Sequence, residues 1–192
     1  MATVAVLLAL AAAGCGTAGR AAQEGPFSGA IWPAKARAPG FALRDQHGQL
    51  VRLGAQRGRF VIVAFLYTRC RDVCPLIASQ LGTALRELGP ARRDVRVLAV
   101  SVDPRGDTPA SVRRFVRARR LPRQFRYLTG TRRQLAPVWH AYHVAVQPHN
   151  LDSVDHSAYE LLIDRSGRPR LTYDSNVQAG DVVHDLRRLG LA

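Results

Sequence analysis

An apolar run from Phe60 to Tyr67 leads within a few residues into a pair of cysteines and then a helical repeat, in the segment VIVAFLYTRCRDVCP. The run is rich in β-branched and aromatic residues, which is how a buried strand reads. Beyond Pro75, the residues Ile77, Leu81, Leu85 and Leu88 recur at helical spacing until Gly89-Pro90 stops them. A buried strand feeding an amphipathic helix is the opening of an α/β sheet, and this junction constrains the fold more than any other feature. It also holds Cys70 and Cys74 at a strand-to-helix corner. Two soft sulfurs there can do redox chemistry, bind a soft metal, or both.

The flanking sequence extends this start. Phe41-Ala-Leu-Arg, the polar stretch Asp45 to Gly48, and Leu50-Val-Arg-Leu53 predict an N-terminal β-hairpin. Val95 to Val102 predicts a second central strand, and Thr108 with Pro109 marks an N-cap and first helical position before a core stripe of Val112, Phe115 and Val116. Phe125 to Leu128 reads as a short edge strand. Thr131 and Gln134 fit a capping box ahead of a helix carrying Leu135, Val138, Trp139 and Tyr142 on one face. Pro137 falls early in that helix, so its start is set only to within a few residues. Gln147 to Ser157 reads as a polar loop, Tyr159–Asp164 and Leu171–Tyr173 as a hairpin, and Asp181–Leu189 as a closing amphipathic helix. A βαβα core, then helix, hairpin and helix, with the cysteines after the first central strand, is a thioredoxin-like architecture. It is expected as a central mixed β-sheet flanked by helices, with the hairpin at its N-terminal side.

The 192 residues suffice for one domain plus short extras. The net charge of +14 is carried by arginine, with Lys35 the only lysine. No nucleic-acid motif accompanies it. The arginines read mainly as a solvated face, with attraction to an anionic membrane surface as the alternative. The first nineteen residues carry no charged side chain, and Ala2 to Ala13 is an apolar run ending in Ala12-Ala13-Gly14-Cys15. That is the pattern of an export signal leading straight into a cysteine, similar to the lipobox of bacterial lipoproteins, although a positively charged start is missing. An uncleaved anchor is the alternative, but the run is short of the ~20 residues a span needs. The expected organisation is a lipoprotein-type signal peptide over 1–14, a flexible tether over 15–38 and the folded domain over 39–192. Both readings put the domain outside the cytoplasm, tethered at a bacterial cell membrane, through a lipidated Cys15 in the first and through the uncleaved N-terminus in the second. One cysteine pair then remains. So short a loop constrains the unfolded chain little, which argues against a purely structural disulfide.

Three stretches, in order, are specific: YTRCRDVCP (Tyr67–Pro75), SVDPRGDTP (Ser101–Pro109) and VDHSAYELLID (Val154–Asp164), with weaker support from Tyr127–Val144. Together they resemble the Sco/SenC family, copper-handling proteins of the thioredoxin superfamily, from roughly Pro39 to the C-terminus. The resemblance implies copper bound by Cys70, Cys74 and His156. Chemistry agrees, since thiolates select Cu(I) and imidazole also suits copper. The C-x-x-x-C spacing lets both sulfurs point the same way from one helical turn. The implied role is a membrane-tethered copper chaperone that helps assemble the dinuclear copper site of cytochrome c oxidase. Subunit II or another copper-accepting protein would be its partner, and a monomer is expected.

Other readings stay open at this point. The cysteines can be a redox pair alone, as in a thiol-disulfide reductase that keeps the target's cysteines reduced. A peroxidase or a zinc site would need, respectively, a low-pKa cysteine with a resolving partner and a fourth ligand. His156 can simply hydrogen-bond a loop, with His149 and His143 as the next candidate ligands. His47, His140 and His184 read as surface or core residues. Arg69 and Arg71 stand where the family often has His and Pro, and cations beside Cys70 lower a thiol pKa. Asp72, Asp103, Asp107 and Asp155 are candidates to orient His156, helix capping being the equal alternative for Asp107. Asp155-His156-Ser157 occupies the place where thioredoxin-type oxidoreductases carry a cis-proline, which by that resemblance favours metal holding over general disulfide exchange.

Overall fold

Residues 26–33, 36–148 and 154–192 are described by the structure, a computed structural model. The elements are β1 (Ala30–Ile31), β2 (Ala42–Asp45), β3 (Leu50–Arg52), β4 (Phe60–Leu66), α1 (Val73–Glu87), β5 (Val95–Ser101), α2 (Pro109–Ala118), β6 (Phe125–Thr129), α3 (Arg132–Ala141), β7 (Val146–Pro148), β8 (Val154–His156), β9 (Glu160–Ile163), β10 (Pro169–Tyr173) and α4 (Ala179–Arg188). Short 3-10 turns cover Leu53–Gln56 and Gly89–Asp94.

Eight strands form one sheet in the order β1-β10-β9-β4-β5-β6-β2-β3, and β7 with β8 forms a separate hairpin. Strands β4, β5 and β6 run parallel. Antiparallel β9 flanks them on one side and antiparallel β2 on the other, which makes the sheet mixed. Every residue of β4 is buried because the strand is central and covered on both faces. Alternation along the strands sorts the layers. Tyr127 packs edge-on against Phe115 of α2, and Tyr173 donates to Asp185 of α4. Phe65, on the other face of β4, meets Tyr142 just past α3.

The boundaries of the central strands and helices lie within a residue or two of those expected. Thr108 caps α2, its oxygen accepting the Ser111 amide at 3.2 Å, with Pro109 in the first turn. Gln134 Oε1 accepts the Thr131 amide at 2.8 Å, the reciprocal half of a capping box. The hairpin read around Asp45 to Gly48 is β2–β3.

Four expectations need correction. Phe125–Leu128 is not an edge, because β2 packs outside it and makes β6 interior to the sheet. Part of the stretch read as tether is folded, since Ala30 and Ile31 pair with Thr172 and Leu171 of β10. The Asp185 carboxylate anchors that entry, accepting the Ser28 and Gly29 amides at 2.9 and 2.8 Å. Within the region read as a polar loop, β7 and β8 pair, with Val146 opposite His156. Pro137 lies well inside α3, where its missing N–H removes one ladder bond but does not end the helix. No helix among the described residues is long and apolar enough to cross a membrane. Cys15, the segment read as a signal peptide, and His149 lie outside the described residues.

Candidate functional site

The C-terminal ends of β4 and β5 create the site. Chain leaving β4 turns through Thr68 to Asp72 and enters α1 at Val73, so Cys70 sits in the turn and Cys74 in the first helical turn. Cys74 is fully buried and Cys70 half-buried, and the two thiols are not bridged. The Cys74 amide donates to Cys70 Sγ at 3.5 Å, as expected for a sulfur seated over the first amides of a helix.

The remaining candidate ligand arrives from 82 residues further along the chain. Hairpin β7–β8 carries His156 to the cysteine corner and places its Nε2 4.0 Å from Cys74 Sγ. His156 Nδ1 lies 2.9 Å from the Ser157 carbonyl oxygen. A carbonyl only accepts, so Nδ1 carries the proton and the Nε2 lone pair faces the sulfur. Burial lowers the imidazole pKa, which favours this neutral form. Tyr67 closes the group. Its ring stands edge-on to the His156 ring at 5.9 Å, and burial, then the nearby Cys70 charge, raises the pKa of its hydroxyl. Among the described residues, no three His, Cys, Asp or Glu side chains already converge closely enough to hold an ion.

The SCO1/SenC family profile matches residues 32–190. The chain belongs to the SCO1/SenC family. Among similar solved structures is Bradyrhizobium japonicum ScoI with copper bound, at 29% identity and a TM-score of 0.71 over 80% of this chain and 99% of that one. Apo Sco1 from Thermus thermophilus is 31% identical, with a TM-score of 0.72 over 85% of this chain and 96% of that one. The mitochondrial SCO2 homolog of Bos taurus is 32% identical over 155 residues, 77% of this chain and 58% of that one. The fold is thus the thioredoxin-like arrangement expected, with a mixed sheet between helices.

In this Sco/SenC domain the two thiols are inequivalent. Cys70 is pulled down to about 5, first by the hydrogen bond from the Cys74 thiol, then by the Cys74 and Asp72 amides and the Tyr67 hydroxyl, against the opposing effect of burial. Cys74 is pushed up, because its proton bonds the Cys70 sulfur and the side chain is buried. One proton is therefore held on the inner sulfur while the outer one ionises. The Arg69 guanidinium reaches across to Asp103 at 2.8 Å, and Arg71 is exposed. Gly106 permits the Arg69–Asp103 pair, since a Cβ there would overlap both Asp103 Oδ2 and Arg69 Nε.

The carboxylates do other work than expected. His156 is oriented by a backbone carbonyl rather than by Asp72, Asp103 or Asp107. Asp107 does not cap α2, which Thr108 does. Instead the buried Asp107 accepts the Thr68 amide at 2.8 Å, the Ser101 hydroxyl at 2.6 Å and the Tyr127 hydroxyl at 2.9 Å. One carboxylate thereby ties the cysteine turn to β5 and β6. Burial raises its pKa, and the donors oppose that rise. Asp155 is exposed. His47, His140 and His184 are exposed on other elements. His143 terminates α3 in a left-handed conformation, φ 54°, a helix-end position. The residue that sequence reasoning missed is Tyr67, whose polar end was hidden by its place at the close of an apolar run.

Proposed function

We propose that this chain is a membrane-tethered copper-binding chaperone for the dinuclear copper site of cytochrome c oxidase, with Cys70, Cys74 and His156 as the copper ligands. The observation that carries this reading is the Nε2 lone pair of His156 aimed at Cys74 Sγ from 4.0 Å. Two ligands sharing one ion at zinc-like bond lengths, in a trigonal arrangement, lie about 3.8 Å apart. The Cys74–His156 spacing is therefore close to that of two ligands on one ion. Copper is cargo here. The thiolates select Cu(I), and a three-ligand site can release its ion by ligand exchange with an acceptor's thiols. Copper bound to the Bradyrhizobium japonicum relative supports the choice of metal. Lipidation at Cys15, an extracytoplasmic location and subunit II as the acceptor complete the proposal.

Anaerobic Cu(I) titration of the reduced chain should saturate at about one ion per chain. His156→Ala should weaken binding by more than the ~10–100-fold typical of losing an outer hydrogen-bond partner. Unchanged affinity in that variant would overturn the ligand assignment.

The inequivalence of the two thiols favours a second, compatible reading as a thiol-disulfide reductase that prepares the acceptor. The Cys70 thiolate attacks a target disulfide and releases one target thiolate. Cys74, losing its proton, then displaces the second target sulfur and closes a Cys70–Cys74 disulfide, so the pair is oxidised as the target is reduced. Exchange with a disulfide target peptide no faster than that of a free dithiol would remove this role.

A further inference from the structure

A second concavity lies at the far end of the sheet from the cysteines. Arg96 is the second residue of β5 and Ser101, beside the thiol site, is its last. Five residues of strand separate the two by roughly 17 Å. The cavity has a volume of about 190 Å³, and its polar lining comes from Gln49, Arg52, Gln56, Arg96 and Arg126. That is below the ~300 Å³ at which sites for drug-sized ligands begin, and suits a small ion.

The charges there are poorly compensated. Arg126 is paired with the fully buried carboxylate of Asp45 and reaches Gln49 Oε1 at 3.4 Å. Among the described residues, Arg96 donates to carbonyl oxygens alone, those of Arg93 and Val95. Burial first, and then repulsion from Arg59 and Arg126, lower its pKa, while Asp94 opposes them. Asp94 is itself shared with Arg93 at 3.8 Å. The acidic neighbour of Arg96 is thus itself shared. Singly scattered surface arginines need no explanation, but half-buried guanidiniums repelling one another around a cavity do. Their planar donor forks match the tetrahedral oxygens of a phosphate.

We propose that this cavity binds a phosphate group, with Arg52, Arg96 and Gln56 as its donors and Arg126, held by Asp45, as its fixed wall. The group is either free phosphate or the headgroup of an anionic phospholipid at the membrane to which the chain is proposed to be tethered. The site is independent of the thiols.

The test is titration of the full-length reduced chain with inorganic phosphate at constant ionic strength, chloride replacing phosphate in the control, read by NMR of the arginine Nε–H resonances. Saturable shifts at Arg96 are expected with phosphate and not with chloride. Arg96→Gln should weaken binding roughly tenfold or more, as losing hydrogen bonds to a charged group does. Arg52→Gln, at an exposed position that should not disturb folding, should weaken it less. In parallel, vesicles of phosphatidylglycerol or phosphatidylcholine are compared for retention of wild type and Arg96→Gln. Retention that is specific to phosphatidylglycerol and lost in Arg96→Gln supports the lipid headgroup, and phosphate shifts without it support the free ion. If phosphate causes no shift beyond chloride and vesicle retention is the same for both proteins, the proposal is overturned. Cu(I) stoichiometry should be unchanged in both variants.

Discussion

Replacing Glu160 by methionine should stabilise this protein, and more so as the pH rises. Glu160 opens β9 opposite Tyr173 and is 1% exposed. Its Oε2 is buried with no hydrogen-bond partner among the described residues. Burial, and then repulsion from Asp174, hold its pKa well above the usual carboxylate range. An unfolded glutamate titrates near ~4.3, so above that pH the folded state keeps a proton that the unfolded chain releases. Stability therefore falls as the pH rises from the unfolded pKa towards the folded one, by up to about 1.4 kcal/mol per unit. Methionine has similar volume and no acceptor. A buried orphaned acceptor costs about 1–3 kcal/mol, so relief of about 2 kcal/mol is expected at pH 7. At about 2–4 °C per kcal/mol for a chain of this size, the melting temperature should rise by about 4–8 °C. Thermal and urea unfolding of both proteins at pH 4 and pH 7 measures this. A wild type as stable as the variant at pH 7, or a difference that does not grow between the two pH values, would refute the reasoning.

Cys70 should alkylate with an inflection near pH 5, and Cys74→Ala should move that inflection up, because the Cys74 thiol is its largest stabiliser. Mass spectrometry of iodoacetamide-labelled protein between pH 4 and 8 checks this, and an unmoved inflection counts against the shared proton. Asp107→Ala should cost about 3 kcal/mol, since it orphans the buried Ser101 and Tyr127 hydroxyls and the Thr68 amide. Faster hydrogen exchange at Thr68 would accompany it. Asp185→Ala should free the Ser28 and Gly29 amides and cost about 1–3 kcal/mol. Limited proteolysis should then cut near β1 in the variant before it cuts the wild type.

Local chemistry was legible wherever it was self-contained. Strand β4 carries its own signature because a central strand is apolar throughout, and Phe60–Leu66 matches the expected run. The cap at Thr108 and the Thr131–Gln134 pair declare themselves over four residues, since both partners sit within one helical turn. What depended on distant partners was not legible. Strand β1 is only two residues long and exists because β10 and Asp185 receive it. Whether Phe125–Thr129 is an edge depends on β2, some eighty positions earlier.

The site divides in the same way. The C-x-x-x-C spacing at a strand-to-helix turn declares two sulfurs together, because four residues span one turn of helix. The motif Val154 to Asp164 singled out His156 among six histidines. Only the folded chain decides that its Nε2 faces Cys74, that Ser157 rather than a carboxylate sets its tautomer, and that Asp107 anchors the cysteine turn. Spacing reports neighbours within a turn or a strand pair. A hydrogen bond spanning 39 residues or a cysteine–histidine contact spanning 82 is set by how the sheet stacks its strands, which no local pattern encodes.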